Sequence, residues 1–264
     1  MDFSPLEASI IFEDDSLIAI NKPAGWVVNR ADTYAGPTVQ DWLIERIANS
    51  GIPVTQSKAP ATEYGTPEEI FTKRGGVVHR LDKDTSGVLL LAKTPDVLVE
   101  LLREFREREV EKTYVALVHG KLAPNEGTIR LPMDRSRDDR KKFAIVADGR
   151  VSETHYQVLQ LFPGLPKGIS EKKGKSYQGF TLVELKPKTG RTHQIRVHMS
   201  ALKHPIVGDE TYAGKKRIVI DSEWCPRQFL HAKEIIFTHP VTKKKMDITA
   251  PLATDLVQAL DCMV

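Results

Sequence analysis

The alternation of apolar and polar residues predicts a sheet of short strands. Two apolar runs, residues 10–13 and 17–20, flank the polar residues 14–16, which is the pattern of a β-hairpin. Pro23 and Gly25 then end the second strand, because proline has no backbone donor and glycine permits unusual backbone angles. Further strands are predicted at residues 88–92, 111–118, 151–161, 179–185, 229–236 and 245–249.

Helices are predicted where apolar residues recur at intervals of three and four. A helix over residues 38–49 begins at Thr38, a good N-cap, and a second helix begins at Thr94. Most of the charged residues between 103 and 108 are expected on the solvent face of the second helix. A short helix over residues 252–260 follows the last strand.

Polar segments without periodicity are predicted to be loops. Residues 51–76, rich in Pro, Thr and Ser, are expected to form a long surface loop that either closes over the substrate or is an ordered spacer. Residues 125–127 are predicted to be a turn and residues 134–142 an exposed connection. Residues 164–179 are expected to join two strands as a protruding hairpin.

Composition excludes several classes of protein. The 264 residues, 41% hydrophobic and 28% charged, can bury a full core in one large domain or two closely packed lobes. The two cysteines, Cys225 and Cys262, form no Cys-x-x-Cys pair, which argues against a structural zinc site or a disulfide framework and fits a reducing cytoplasm. Neither secretion nor membrane insertion is expected, because the sequence has no signal-peptide pattern and no window of eighteen uninterrupted apolar residues.

Positive charge is concentrated in two segments, although the formal net charge is only +3. Residues 186–203 contain five Lys or Arg and no Asp or Glu, and residues 130–142 contain six cations and three carboxylates. Segments of this kind suit a surface that follows phosphates, so they favour a nucleic-acid partner. The lysines within residues 172–175 and 243–245 are equally well explained as solvated loops.

The run His-Arg-Leu-Asp-Lys-Asp-Thr-Ser-Gly at residues 79–87, the first motif, is the leading candidate for a functional site. An acidic residue followed by turn-forming residues and a buried strand is a common way to hold a carboxylate at the edge of a sheet. A carboxylate in a cleft needs a nearby cation, because desolvation otherwise raises its pKa. Arg80 is two residues from Asp82, and on a strand the two side chains would share a face.

The run Lys-Thr-Gly-Arg-Thr-His-Gln-Ile-Arg-Val-His-Met at residues 188–199, the second motif, follows about 110 residues later. Together with the first motif and Asn-Lys-Pro-Ala-Gly at residues 21–25, it resembles the signature of the RluA family of RNA pseudouridine synthases, over roughly residues 10–251. The resemblance implies an α+β pseudouridine-synthase fold, with a long mixed, mostly antiparallel sheet, flanking helices and a central RNA-binding cleft. It also implies one catalytic domain over residues 1–264, without the N-terminal S4-type RNA-binding domain of many relatives.

The resemblance assigns roles to individual residues. Asp82 is the indispensable catalytic residue, either as a nucleophile on the sugar or base or as the base that removes a sugar proton. Arg196 pairs with Asp82 and keeps it ionised, and Tyr114 stacks on the target base. Ile195 contacts the uracil, and Arg80 fills the space of the flipped nucleotide or holds its phosphate. The other residues expected at the RNA are His79, Thr85, Arg191, His193 and Lys22, the last with the alternative of a plain surface lysine.

The implied reaction is the isomerisation of uridine to pseudouridine in ribosomal RNA, with transfer RNA as the alternative substrate. The bond from C1′ to N1 breaks, the uracil turns and C5 joins C1′, after base flipping at a cost of about a few kcal/mol. No cofactor is expected, because no redox change or group donor is involved. No metal is expected either, because His193 and His198 are five residues apart and no cysteine lies nearby. The protein is expected to be a cytoplasmic monomer that binds RNA and no membrane.

Two other classes of protein fit parts of the sequence. Residues 82–85 match the Asp-x-Asp-x-Thr pattern of Mg²⁺-dependent aspartyl-phosphate phosphatases, although His79 and Arg80 interrupt the apolar strand that this family has before its first Asp. The basic segments alone would also suit a non-catalytic RNA-binding protein. Asp82 and Arg196 discriminate, since a mere binder has no use for a buried carboxylate with its own counter-ion.

Overall fold

Residues 2–50, 57, 60–140 and 142–263 are described by the computed structural model. They form two units, of which the first comprises Met1–Glu111 and Glu234–Pro251 and the second Lys112–Lys233 and Leu252–Val264. The predicted α+β class is confirmed, because each unit combines antiparallel strands with helices. In the described part of the chain, no helix is long and apolar enough to span a membrane. Both cysteines are free thiols.

The first unit begins with the predicted hairpin. Its elements in chain order are α1 (Ser4–Glu7), β1 (Ile10–Glu13), β2 (Leu17–Lys22), α2 (Val39–Asn49), α3 (Pro67–Arg74), β3 (Ser86–Ala92) and α4 (Pro95–Glu107). β2 pairs antiparallel with both β1 and β3. Every residue of β3 is buried, as its uninterrupted apolar run predicts.

Capping residues explain where the two predicted helices of this unit begin. Thr38 caps α2 in a capping box, and Thr94 caps α4 with Pro95 in the first turn. Glu104 departs from the expected solvent face of α4, because it is buried and its Oε2 accepts the backbone N–H of Thr238 at 3.0 Å. Burial raises the pKa of this carboxyl. The predicted solvent face of α4 is therefore wrong at this position.

The long loop predicted over residues 51–76 is wrong in its second half, where α3 forms. The hydroxyl of Thr66 accepts the backbone N–H of Glu69, and the Glu69 carboxylate accepts the N–H of Thr66. Gly75 ends the helix in the left-handed region, with a φ of 56°. Eight residues give too little apolar periodicity to reveal such a helix, so only its caps could have done so. Residues 51–56, 58 and 59 lie outside the described residues.

The second unit contains an antiparallel sheet in the order β4-β8-β7-β5-β6. Its elements are β4 (Glu111–His119), β5 (Glu126–Arg135), β6 (Phe143–Ile145), β7 (Arg150–Phe162), α5 (Glu171–Gly174), β8 (Phe180–Pro187), α6 (Gln194–Ala201) and α7 (Lys215–Asp221). Leu117, Phe180 and Val183 lie in its apolar core. The strands predicted in β4, β7 and β8 are confirmed.

Strand β5 replaces part of what the sequence predicts as turn and loop. Glu126 and Gly127, expected in a turn, already pair with β7. The strand extends through residue 135, into the expected exposed connection. Pro132 argues against a strand in the sequence, but it is accommodated opposite Val151.

The hairpin expected around residues 164–179 is confirmed, because β7 and β8 pair antiparallel on either side of it, but the segment packs back on its own unit and does not protrude as expected. The backbone N–H of Lys167 donates to the carbonyl oxygen of Cys262 at 2.7 Å. The hydroxyl of Tyr177 donates to Oδ1 of Asp221 at 2.5 Å, and Ile169 is buried. This connection is therefore part of the packed structure of the unit.

The last elements are β9 (Leu230–Thr238), β10 (Lys245–Thr249) and α8 (Thr254–Asp261). β9 begins in the second unit and ends in the first, where residues 234–238 pair antiparallel with β10. Ile235, Phe237 and Ile248 lie in the core of the first unit together with Leu90. α8 belongs to the second unit. The strands and the helix predicted for this part of the chain are confirmed.

Candidate active site

The ends of two adjacent strands bring two of the sequence motifs together in the first unit. β2 and β3 pair antiparallel, with Lys22 opposite Gly87. The chain therefore leaves β2 at the end at which the first motif enters β3. The backbone N–H of Gly25 donates to the carbonyl oxygen of Lys83 at 2.9 Å. The Asn-Lys-Pro-Ala-Gly turn and the first motif thus form one local structure.

Lys22 holds the first motif from the interior of the unit. The residue is fully buried, and its Nζ donates to the carbonyl oxygens of Pro23 at 2.8 Å, Lys83 at 2.9 Å and Trp26 at 3.1 Å. These acceptors compensate for the water that the ammonium loses on burial. The surface lysine considered from the sequence is wrong, and so is a direct contact of this covered ammonium with RNA. Lys22 is instead a positioning residue for the segment that carries Asp82.

Asp82 lies on a turn directly before β3. Its carbonyl oxygen accepts the backbone N–H of Thr85 at 3.1 Å, and Thr85 is 2% exposed. Gly87 has a φ of 114°, which a glycine tolerates where the chain enters the strand. Residues 79–82 are not in a strand, so the shared face expected for Arg80 and Asp82 is wrong. The half-buried Asp82 nevertheless lies at the edge of a sheet, as the pattern predicts.

The first two residues of the first motif have different surroundings. Nε2 of His79 accepts the backbone N–H of Leu90 at 3.0 Å, and the ring stacks on Phe105 with centroids 4.8 Å apart. Because Nε2 is an acceptor, the neutral ring carries its proton on Nδ1. Arg80 is exposed. One residue of the motif is therefore fixed in the fold, and the next is open to a ligand.

In the second unit, the second motif is folded around the side chain of Gln194, the first residue of α6. Its Oε1 accepts the hydroxyl of Thr189 at 2.7 Å and the backbone N–H of Arg191 at 3.1 Å. Its Nε2 donates to the carbonyl oxygen of Glu153 and to the hydroxyl of Thr154, both at 3.0 Å. The turn before α6 is therefore fixed to β7 by a buried amide.

Arg196 forms a buried bidentate pair with Asp209. Nε donates to Oδ2 at 2.7 Å and Nη2 to Oδ1 at 2.9 Å, and Nη2 also donates to the hydroxyl of Thr211 at 2.9 Å. The guanidinium carbon lies 5.1 Å from the ring centroid of Tyr212. Asp209 Oδ1 also accepts the backbone N–H groups of Thr211 and Tyr212. The position and plane of the guanidinium are thus set by Asp209.

Tyr212 connects this pair with His193 and with β6. Its hydroxyl accepts the backbone N–H of Phe143 at 3.1 Å and lies 3.0 Å from Nδ1 of His193. The tautomer of the imidazole decides which of these two groups donates the hydrogen bond. His193 has a φ of 57°, which is uncommon for a residue other than glycine and marks the turn into α6.

His198, the other histidine of the second motif, is a core residue. Its Nε2 lies 2.8 Å from Oγ of Ser152, and its Nδ1 lies 3.0 Å from Oγ1 of Thr154. Burial lowers the pKa of His198 to about 4, so the ring is neutral at pH 7. Among the residues that the structure describes, no group of three or more His, Cys, Asp or Glu is placed to hold a metal ion.

The two residues expected at the uracil also lie in the second unit. Tyr114 is half-buried in β4, opposite Leu185 of β8. Ile195 is 6% exposed and lies in the apolar core of the unit. Tyr114 therefore keeps part of its surface accessible, whereas Ile195 is almost completely covered.

The expected site residues divide between the units. Those of the first unit are Lys22, His79, Arg80, Asp82 and Thr85, and those of the second are Tyr114, Arg191, His193, Ile195 and Arg196. Pairing of Asp82 with Arg196 joins one residue from each unit and stays a prediction. The structure adds three residues that the sequence did not assign to the site, Gln194, Asp209 and Tyr212, each of which holds a residue of the second motif.

Comparison with known proteins gives relatives over nearly the whole chain. A family model described as RNA pseudouridylate synthase matches residues 16–201. An uncharacterized RNA pseudouridine synthase of Mycobacterium bovis is 37% identical over 256 residues, covering 96% of this chain and 71% of that protein. The ribosomal large subunit pseudouridine synthase D of Pseudomonas aeruginosa is 34% identical over 266 residues, covering 98% of this chain and 72% of that protein.

Two solved human structures share the fold. Human RNA pseudouridylate synthase domain containing 4 matches with a TM-score of 0.67 and 25% identity, covering 98% of this chain and 94% of that one. Human RNA pseudouridylate synthase domain containing 1 matches with a TM-score of 0.63 and 28% identity, covering 92% and 82%. The fold expected from the sequence resemblance is therefore confirmed.

Proposed function

The chain belongs to the RNA pseudouridylate synthase family, and we propose that it converts specific uridines of ribosomal RNA to pseudouridine, with Asp82 as its essential catalytic residue. The resemblance to the RluA family is confirmed, and the chain is an isomerase that acts on uridine in RNA. Neither of the other classes considered from the sequence, the phosphatase and the non-catalytic binder, accounts for these matches.

The observation that carries the role of Asp82 is its place on an anchored turn. The turn is held by the Lys22 ammonium on one side and continues into the fully buried β3 on the other. The side chain itself is half-buried. A carboxylate in such a place is open to a substrate and attached to a fixed backbone, which suits a nucleophile or a general base.

The proposed reaction needs no atom from outside the substrate except protons. Asp82 either attacks the sugar or the base as a nucleophile or removes a proton from the sugar. The bond from C1′ to N1 breaks, the uracil turns, and C5 bonds to C1′. C5 then loses its proton, and N1 is protonated, so no electron is gained or lost and no cofactor is required.

Four further residues complete the proposed site. Arg196 keeps Asp82 ionised, Tyr114 stacks on the uracil, and Ile195 packs against it. The exposed Arg80 occupies the space of the flipped nucleotide or binds its phosphate. Asp209 supports Arg196 from within the second unit.

Ribosomal RNA is the substrate we favour, because a relative of this chain bears the name ribosomal large subunit pseudouridine synthase D. Transfer RNA is the alternative. Both RNA classes contain uridines in loops from which a base can be flipped at low cost.

The proposal is tested by release of tritium from RNA labelled at uracil C5, in the presence of EDTA. The protein and its Asp82→Asn variant are compared on ribosomal and transfer RNA transcripts, with Asp84→Asn as the matched control in the same turn. We expect release from ribosomal RNA with the unchanged protein and with Asp84→Asn, and none with Asp82→Asn. Release only from transfer RNA would show that transfer RNA, and not ribosomal RNA, is the substrate. Undiminished release by Asp82→Asn would refute the role of Asp82.

We also propose that the protein is a cytoplasmic monomer whose two units act as one catalytic domain. Light scattering after size exclusion should give a mass near 29.6 kDa. Calorimetry should show a single unfolding transition, whereas two separate transitions would show that the units are independent domains.

A further inference from the structure

Three cationic side chains of the second unit gather around Gly190 in the second motif. Lys188 lies two residues before this glycine and Arg191 directly after it, and Nζ of Lys112 lies 4.0 Å from the position that a Cβ on Gly190 would occupy. The β4–β8 ladder explains the approach. Tyr114 lies opposite Leu185, so the start of β4 meets the end of β8 and brings Lys112 towards the turn.

Two cations of this cluster lack the carboxylate partner that a neighbouring lysine of β8 has. Lys186 pairs with Glu184 at 3.2 Å, whereas neither Lys188 nor Arg191 forms an ion pair with any residue that the structure describes. Burial, together with the positive charge of Lys188, lowers the pKa of Lys112 to about 8. Placing these positive charges close together therefore lowers the stability of the folded protein.

Arg191 contributes a buried hydrogen-bond donor to this cluster. Its Nε is buried and has no hydrogen-bond partner within the described part of the chain. A buried donor without an acceptor costs about 1–3 kcal/mol, and such groups in folded proteins call for an explanation. An anion bound at the turn would supply the acceptor.

The turn is fixed before any ligand arrives. Gln194 accepts hydrogen bonds from Thr189 and from the backbone of Arg191, and it donates to β7. Gly190 is exposed and has no side chain, so the approach between the cations is open. A preorganised site of this kind loses little entropy when it binds.

We propose that Lys112, Lys188 and Arg191 bind one phosphate group of the RNA backbone next to the target uridine. Lys112 and Tyr114 are two residues apart in β4, so their side chains lie on the same face, about 7 Å apart along the strand. The phosphate is therefore held beside the ring that stacks on the uracil. This inference rests on the proposed function for the identity of the ligand as RNA.

The first test probes the anion site without RNA. Lysine side chains are labelled with ¹³C at Cε, the Lys112 signal is assigned with Lys112→Arg, and inorganic phosphate is titrated against a chloride control of equal ionic strength. We expect a saturable shift of the Lys112 signal towards the protonated form, with affinity about ten-fold lower in Arg191→Gln, which corresponds to about 1.4 kcal/mol. No saturable shift in the unchanged protein overturns the site.

The second test asks whether RNA uses the site. The dissociation constant for a ribosomal RNA transcript is measured over a range of KCl concentrations for Lys188→Gln and for Lys172→Gln, an equally exposed lysine of the same unit. One lost phosphate contact lowers the slope of log Kd against log [KCl] by about 0.7–0.9. We expect this decrease for Lys188→Gln alone. An unchanged slope overturns the proposal, and phosphate binding would then reflect an adventitious ion only.

Failure of this inference is distinguishable from failure of the proposed function. Tritium release together with an unchanged salt slope for Lys188→Gln refutes the phosphate site and leaves the synthase intact. A phosphate-dependent Lys112 shift and a reduced slope without tritium release support the site on a protein whose proposed substrate is wrong. Thermal unfolding of each variant, with Arg191→Lys as a conservative second variant, verifies that the changes act on binding and not on folding.

Discussion

Arg196 and Asp209 are joined by two hydrogen bonds, at 2.7 Å and 2.9 Å, with side chains that are only 7% and 0% exposed. The pair fixes a guanidinium before any substrate is present. Removing one member of a buried pair is more costly than the pair itself is stabilising, because the other charge stays in the interior.

Replacement of Asp209 with Asn should therefore lower the free energy of unfolding by about 3 kcal/mol in urea titrations. We expect kcat to fall as well, because the direction of Arg196 is no longer fixed. Asp255→Asn is the matched control, since it breaks the more exposed pair of Asp255 with Arg227, and it should cost about 1 kcal/mol or less. Equal losses for the two variants would contradict a special role of the buried pair.

Replacement of Lys22 with Met should damage catalysis more than RNA binding. The variant removes a donor from three carbonyl oxygens and should lower the free energy of unfolding by about 2–4 kcal/mol. Faster hydrogen exchange of the Gly25 amide would report a loosened turn. We expect a lower kcat with an unchanged Kd for RNA, and no change for Lys172→Met. Weaker RNA binding with an unchanged kcat would show instead that Lys22 contacts the substrate.

Replacement of Tyr212 with Phe should cost about 1–2 kcal/mol, because the hydroxyl serves both Phe143 and His193. The amide signal of Phe143 should move in the ¹⁵N spectrum. Tyr64→Phe, at a residue that is 70% exposed, is the control and should leave stability unchanged. A stability loss without any change in the Phe143 signal would mean that the hydroxyl does not stabilise the protein through its bond to Phe143.

His198 should make the protein sensitive to acid. Its pKa is about 4 in the folded chain and about 6.5 when unfolded, so the unfolded state binds the proton first. Stability from this group is fully present above about pH 6.5 and is lost as the pH falls towards 4, by at most about 3 kcal/mol. His198→Gln should flatten this part of the curve of unfolding free energy against pH. If the slope of unfolding free energy against pH is unchanged in His198→Gln, another group causes the sensitivity to acid.

Much of the fold follows from local sequence signals. β3 is a continuous apolar run, and α2 and α4 begin at threonines that cap them, so pattern and caps agree. α3 carries the same capping signal but has too few apolar residues for its period to be recognised. β5 was missed because turn-forming residues at its start and charged residues at its end predict a turn and an exposed connection.

The sequence predicted the motifs of the candidate site but not the residues that hold these motifs in place. Asp82 stands out because it precedes a turn and an apolar run, and the family resemblance gives roles to both Asp82 and Arg196. The burial of Lys22 depends on the carbonyl of Lys83, which is 61 residues away in the chain. Likewise, the contact of Tyr212 with Phe143 spans 69 residues, and no local pattern contains it.

The divided composition of the first unit has a consequence for its biosynthesis. Ile235, Phe237 and Ile248 share its core with Leu90, but the ribosome adds them only after residues 112–233. At about 5–20 residues per second, the nascent first unit waits on the order of 10 s for these side chains. The turn of Asp82 enters β3, which lacks its complete packing until then. The core that packs against β3 is therefore complete only after residue 248 has been added to the chain.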